Sequence, residues 1–161
     1  MDSYLALKLI HILSAVVVAG TGFGIAFFMF MASRSKDRHA ISVTTRHVVL
    51  ADWLFTAPAI VIQLITGIAL MRVLDYGFDS LWFQIVMGLY ALVAACWIPV
   101  VFIQYRLRNL ASELARELVE GEASQRAFRN LMRGWMLLGI VAFTAVLVLF
   151  WMMVFKPFPT A

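Results

Sequence analysis

Charge is what this chain has least of: 14% of its residues are charged and 63% hydrophobic. That is too little to cover a soluble surface, so a soluble globular domain is excluded. The single cysteine, Cys96, lies in an apolar run with no thiol partner, which excludes a disulfide, a zinc site and an iron–sulfur cluster built on cysteines of this chain. Internal repeats and low-complexity tracts are also missing, and four spans without a repeat make a poor alternating-access machine unless they oligomerise. The net charge of +4 has no soluble basic surface on which a duplex could dock, so no nucleic acid is expected as partner. The positive charge is expected to face lipid headgroups.

What is present in quantity is long apolar sequence. A helix needs about 20 apolar residues to cross a bilayer core, and four segments reach that length: about 5–31, 48–71, 81–105 and 135–155. The expected fold is an all-α, four-helix integral membrane bundle occupying 1–161 as one domain. The first segment is too long for the apolar core of a signal peptide and has no basic region before it, so a retained helix is expected. The connection Ser33 to His47 carries Arg34, Lys36, Arg38 and Arg46 against Asp37, while Leu74 to Ser80 carries only Asp75 and Asp79. The positive-inside rule puts the first and third connections in the cytoplasm of a bacterial inner membrane and both termini on the outer face. Tyr4, Trp82 and Trp151 then fall near the outer ends, and Trp53, Tyr105 and Trp135 near the inner ends, as an aromatic belt would.

The third connection, about 106–134, reads as a cytoplasmic helical hairpin that extends the third and fourth helices. Leu107, Leu110, Leu114 and Leu118 recur at helical spacing, with Arg108, Glu113, Arg116, Glu117 and Glu120 on other faces. Gly121 is the expected stop. Arg126, Arg129 and Arg133 recur at i, i+3 and i+7, a basic stripe suited to anionic lipid headgroups, each charge being worth about 1 kcal/mol near the surface, or to a protein partner.

Ionisable groups in hydrocarbon are costly and therefore informative. Asp52, Thr56, Ala59, Gln63 and Thr66 with Gly67 fall on one stripe of the second span, which should face protein or water. Lys8, His11, Ser14 with Ala15, Val18 and Gly22 line up on the first span, and Gln84, Gly88, Ala91 and Ala95 on the third. Small residues at such positions, including the Gly20 to Gly24 spacing, permit close helix approach. Counting about 1.5 Å per residue, His11 lies in the outer half at the level of Gln63, Thr66, Gly67, Met87, Met152 and Met153, and roughly 30 Å from His47, so the two histidines cannot ligate one haem within a protomer. His39 is expected to be solvated in the basic loop. Three readings of His11 stay open: a hydrogen-bonded packing residue, an axial haem or metal ligand, and a proton relay. Met87, Met152 or Met153 could supply a second axial ligand, although methionine in apolar chains is mostly filler. Asp52 is expected near the cytoplasmic boundary, snorkelling or pairing with Arg46, Arg106 or Arg133; a proton-carrying role along Asp52, Thr56 and Gln63 is the alternative. Pro58 and Pro99 are expected to interrupt the second and third spans and expose carbonyls near Leu54 and Ala95.

Two stretches carry a resemblance: Tyr4 to Gly24, YLALKLIHILSAVVVAGTGFG, and Ala51 to Leu70, ADWLFTAPAIVIQLITGIAL, with WIPVVFIQYRLRNLA ending the third span. The chain resembles the bacterial integral membrane family catalogued as domain of unknown function 2269, over nearly its whole length. More distantly, the K-x-x-H of Lys8 and His11 and the closing FKPF resemble the haem-binding protoporphyrinogen oxidase of the HemJ type and its copper-resistance D relatives. That likeness puts His11 in the place of the haem-ligating histidine; with haem b bound there, Gln63, Thr66 and Gly67, which lie at the same level, are expected to line its pocket, and electron exchange with a quinone or porphyrin-like partner is expected. The Pro-Arg expected after the first span is replaced by the apolar Phe27 to Met31 run, and the lysine expected early in the third appears as Val86 or Met87, so porphyrinogen oxidation is not implied. The competing expectations are a cofactor-free membrane subunit or scaffold, alone or as a homo-oligomer, and proton or small-solute transport.

Overall fold

Long runs of Leu, Ile, Val, Ala and Phe favour helix, and in lipid the helix is the form that satisfies every backbone group within one segment. The computed structural model describes residues 2–118 and 121–157. It contains α1 (Asp2–Ser35), α2 (Arg38–Ala51), a π-helical turn (Asp52–Thr56), α3 (Ala57–Val73), α4 (Leu81–Ala115) and α5 (Glu122–Phe155). α2, the π turn and α3 run on as one span, so four apolar helices are long enough to cross a membrane: Ser3–Ser35, Arg38–Val73, Leu81–Ala115 and Glu122–Phe155. Large apolar side chains such as Phe28, Ile65, Phe102, Leu137 and Val154 point outward, the reverse of a soluble protein and the arrangement a lipid solvent demands. We refer to the end bearing the α1–α2 and α4–α5 connections as the basic end, and to the other as the terminal end.

The first connection is shorter than the sequence indicates, whereas the second, 74–80, falls where expected. The first is reduced to Lys36 and Asp37: Lys36 takes a left-handed φ of 58°, and the Asp37 carboxylate accepts from the backbone N–H of His39 and Ala40 at 2.8 and 3.1 Å, starting α2 ten residues before the expected span. His39 is exposed, and its position is on this first helical turn and not in a loop. α4 stops at Ala115, with Glu117 at a φ of 57°, and Gly121, at a φ of 112°, precedes α5 and does not end α4. Leu118, 69% exposed, therefore leaves the leucine stripe that buries Leu107; Val119 and Glu120 lie outside the described residues.

α1 packs along α2, the π turn and α3; α4 packs along α5 and against α2. Beyond the π turn, α3 makes no close backbone approach to α4 or α5 among the described residues, and long side chains span the gap. Met29, Val48, Val100, Leu107, Met132 and Trp135 form the core of the basic half, and Met71, Trp82, Val86 and Met152 that of the terminal half. Two expected belt residues are thus core residues: Trp135 is buried, and Trp82 is buried with its Nε1 donating to the Met152 carbonyl at 3.0 Å. Trp53 does sit outward, donating to the Tyr105 hydroxyl at 2.7 Å. The small-residue faces also differ from expectation. Gln84, Gly88, Ala91 and Ala95 all lie on the exposed side of α4, and a Cβ added at Gly20, Gly22 or Gly24 would meet nothing within 4 Å. Close approach occurs at Gly67 instead, where a Cβ would lie 3.2 Å from Cε1 of His11.

Candidate functional site

Among the described residues, two buried to half-buried polar clusters sit inside the bundle, one in each half. In the terminal half the antiparallel packing of α1 on α3 brings His11 and Ser14 against Gln63 and Thr66. The Thr66 hydroxyl donates to the Ile62 carbonyl at 2.6 Å, as a helical threonine does, so it accepts from Nδ1–H of His11 at 2.9 Å. That assignment leaves Nε2 of His11 as an acceptor, and the Gln63 amide N–H fills it at 3.0 Å. Ser14 Oγ reaches both the Gln63 amide oxygen and, at 2.9 Å, the His11 carbonyl. The cluster is closed: both ring nitrogens are used, and the tautomer is fixed by its neighbours.

This geometry does not fit an axial ligand. Iron would need a bare nitrogen, which the ring gains only by giving up Gln63 or Thr66, and Gly67 packs against the ring edge between the two nitrogens. Met152 and Met153 pack in the Trp82 cluster of α4 and α5, and Met87 is half-buried on α4, while the His11 ring is turned toward α3. An open cleft of about 450 Å³ lies in the other half, between α1 and α2, lined by Thr21, Gly24, Phe28, His47 and Phe55 among others. Purified protein supplemented with haem b is therefore expected to give no Soret band above free haem; a band lost in His11→Ala would show that the cluster opens to admit iron.

The cluster of the basic half is built differently. Asp52 opens the π turn and is 4% exposed. It lies about 9 Å along the helix from Arg46, and it turns inward, not to the headgroups. No lysine or arginine among the described residues pairs with it, and Arg46, Arg106 and Arg133 are all exposed, which corrects the expected ion pair. The indole of Trp97 on α4 donates to it instead, with Nε1 at 3.3 and 3.2 Å from the two carboxylate oxygens. The side chains of Thr56 and Gln104 face the same carboxylate, but the Thr56 hydroxyl is buried without a partner in hydrogen-bond geometry, as is Nε1 of the nearby Trp135.

The π turn has a local cause. The N–H of Ala57 bonds to the Asp52 carbonyl, five residues back, and Pro58 has no N–H to offer, so the carbonyls just before it lack a helical donor. Such turns recur where a helix serves a site. Sequence reasoning missed Trp97, Gln104 and Tyr90, although a signal was available: Tyr90, Trp97 and Gln104 recur every seven residues on one face of α4. Tyr90 donates to the Ile60 carbonyl at 2.8 Å, and the other two reach Asp52. The predicted stripe residues Asp52, Thr56, Ala59 and Thr66 are all buried and Gln63 and Gly67 half-buried, but they belong to two separate clusters, with the Tyr90–Ile60 bond between them. Arg126, Arg129 and Arg133 are exposed, Arg126 in an ion pair with Glu122. Among the described residues no group of three or more His, Cys, Asp or Glu could hold a metal ion.

A family model described as predicted integral membrane protein (DUF2269) matches residues 5–157. No curated protein and no solved structure matches the chain. The chain belongs to that family of integral membrane proteins.

Proposed function

We propose that this member of an integral membrane family handles a monovalent cation, proton or alkali, inside the bilayer, with Asp52 as the group that carries it. The observation behind the reading is a carboxylate buried in the bundle without a cation beside it, where ionisable side chains are expensive and mark ion or proton pathways. Buried or half-buried polar groups also extend along the second span from Thr45 to Thr66, about 30 Å of helix, which is the thickness of the hydrocarbon core. The basic connections favour an orientation with both termini outside a bacterial inner membrane, and the exposed arginines of α5 suit anionic headgroups on the inner side. Electron exchange with a quinone through haem on His11 has less support, because the imidazole is fully engaged.

The test is proton flux into liposomes loaded with a pH-sensitive dye and driven by a valinomycin-clamped potassium gradient. Wild-type protein is expected to acidify the lumen faster than protein-free vesicles, and Asp52→Asn to return to their rate. Equal rates for the two proteins, both above the protein-free control, would remove Asp52 from the function. A second reading, a non-catalytic subunit, is favoured by the room beside Gly20, Gly22 and Gly24 of α1, where an added Cβ would meet nothing within 4 Å among the described residues; absence of any flux would bring it forward.

A further inference from the structure

The geometry points to a sodium-sized cation as the ligand of the Asp52 cluster, held by the Asp52 carboxylate and the Thr56 hydroxyl, with the Gln104 side chain beside them. The inference rests on the cation-handling reading above and narrows it to an alkali ion. Three observations carry it. A carboxylate offers about four acceptor positions, and the donor that meets it in full hydrogen-bond geometry is one indole N–H shared between its two oxygens at 3.2 and 3.3 Å, the Thr56 and Gln104 side chains facing it more loosely. The Thr56 hydroxyl, one turn away and facing the same carboxylate, is buried with no partner in full hydrogen-bond geometry, and Thr56 is 6% exposed. A hydroxyl left bare in hydrocarbon costs free energy of the order of a lost hydrogen bond, which a ligand at this place would recover. Gln104, 5% exposed, closes the third side.

The donor set selects the ion. The carboxylate and the hydroxyl offer oxygen, which suits hard cations and not the nitrogen- and sulfur-seeking transition metals. One carboxylate balances one positive charge, so a monovalent ion makes the site neutral in the bilayer, while calcium and magnesium call for more anionic ligands or several waters. The terminal-half cluster provides the contrast: its imidazole, amide and hydroxyls satisfy one another and leave nothing for a ligand to complete.

The experiment is thermal unfolding of the full chain in detergent, titrated with sodium chloride and with choline chloride at matched ionic strength. Binding to the folded state raises the midpoint by mass action, about 3–6 °C per tenfold rise in sodium above the dissociation constant for a chain of this size. The sodium-specific shift is expected in wild type, absent in Asp52→Asn, and displaced to at least tenfold higher sodium in Thr56→Val, which keeps the carboxylate and the shape. Equal shifts in sodium and choline, or a full sodium shift in Asp52→Asn, overturn the site. If Asp52→Asn does not fold, an unaltered sodium response in Thr56→Val overturns it. Asp52-dependent proton flux without a sodium shift removes the alkali ion and keeps the proton reading; a sodium shift without flux keeps the site and removes the transport reading.

Discussion

Trp97→Phe is expected to destabilise the protein by about 2–4 kcal/mol, while Asp52→Asn, which removes the charge itself, changes stability by less than about 1 kcal/mol. The asymmetry follows from what each substitution leaves behind. Phenylalanine in place of Trp97 strips the carboxylate of its indole donor and opens a small void beside it, so the buried charge must take up a proton or remain poorly solvated. Asparagine in place of Asp52 keeps an oxygen to accept the indole N–H, adds an N–H that the bare Thr56 hydroxyl can accept, and removes the charge. Combined in a double-mutant cycle, the two changes isolate the carboxylate–indole coupling: in the Asp52→Asn background, Trp97→Phe should lose only the smaller cost of a neutral bond plus the void. Detergent-unfolding titrations of wild type, the two single variants and the double variant measure this. A carboxylate present for stability would give the opposite order, with Asp52→Asn the more damaging change. A functional one gives a variant that folds at least as well and no longer works, the usual relation between stability and a site held at a cost.

How much of this is readable from the sequence depends on which physical term dominates. The four spans follow from hydrophobic length alone, and that term is large enough that nothing competes with it. Element ends differ where a capping interaction outweighs composition. Asp37 starts α2 inside a stretch that reads as a basic loop, and Lys36 makes the turn with a positive φ that lysine rarely adopts. Helical periodicity places the inward face of the second span correctly, because its polar residues recur at three and four. The same logic fails on α4: Gln84, Gly88, Ala91 and Ala95 share a face, but small residues do not say which face the bundle takes. The larger polar-tipped Tyr90, Trp97 and Gln104, one heptad apart, decide that orientation, since each has a bond to make that lipid cannot supply. The weight that the sequence puts on His11 over Asp52 is a matter of depth. A count from the span ends puts Asp52 beside the headgroups, whereas helix extension to Arg38 and the π turn place it within the bundle.

Gln63→Leu is expected to cost about 1–2 kcal/mol, toward the upper end of what single polar contacts contribute in membranes, and adding His11→Phe is expected to restore most of it. Leucine removes the donor to Nε2 of His11 and the side-chain acceptor of Ser14. Ser14 falls back on the His11 carbonyl at 2.9 Å, so the loss concentrates on one ring nitrogen left bare. With phenylalanine at position 11 that nitrogen no longer exists, the backbone carbonyl is still there for Ser14, and Thr66 keeps its bond to Ile62. Replacing both partners by apolar groups of similar shape leaves no unsatisfied atom, and such exchanges are close to neutral. A double variant no more stable than the sum of its parts would mean that the cluster is not the closed unit its geometry describes. The same protein separates the remaining readings of His11 in the flux assay. Retained flux in a double variant of recovered stability makes the cluster a packing device that aligns α1 with α3. Flux lost at recovered stability would make the imidazole part of the proton path, with Asp52 and His11 as its two ionisable stations.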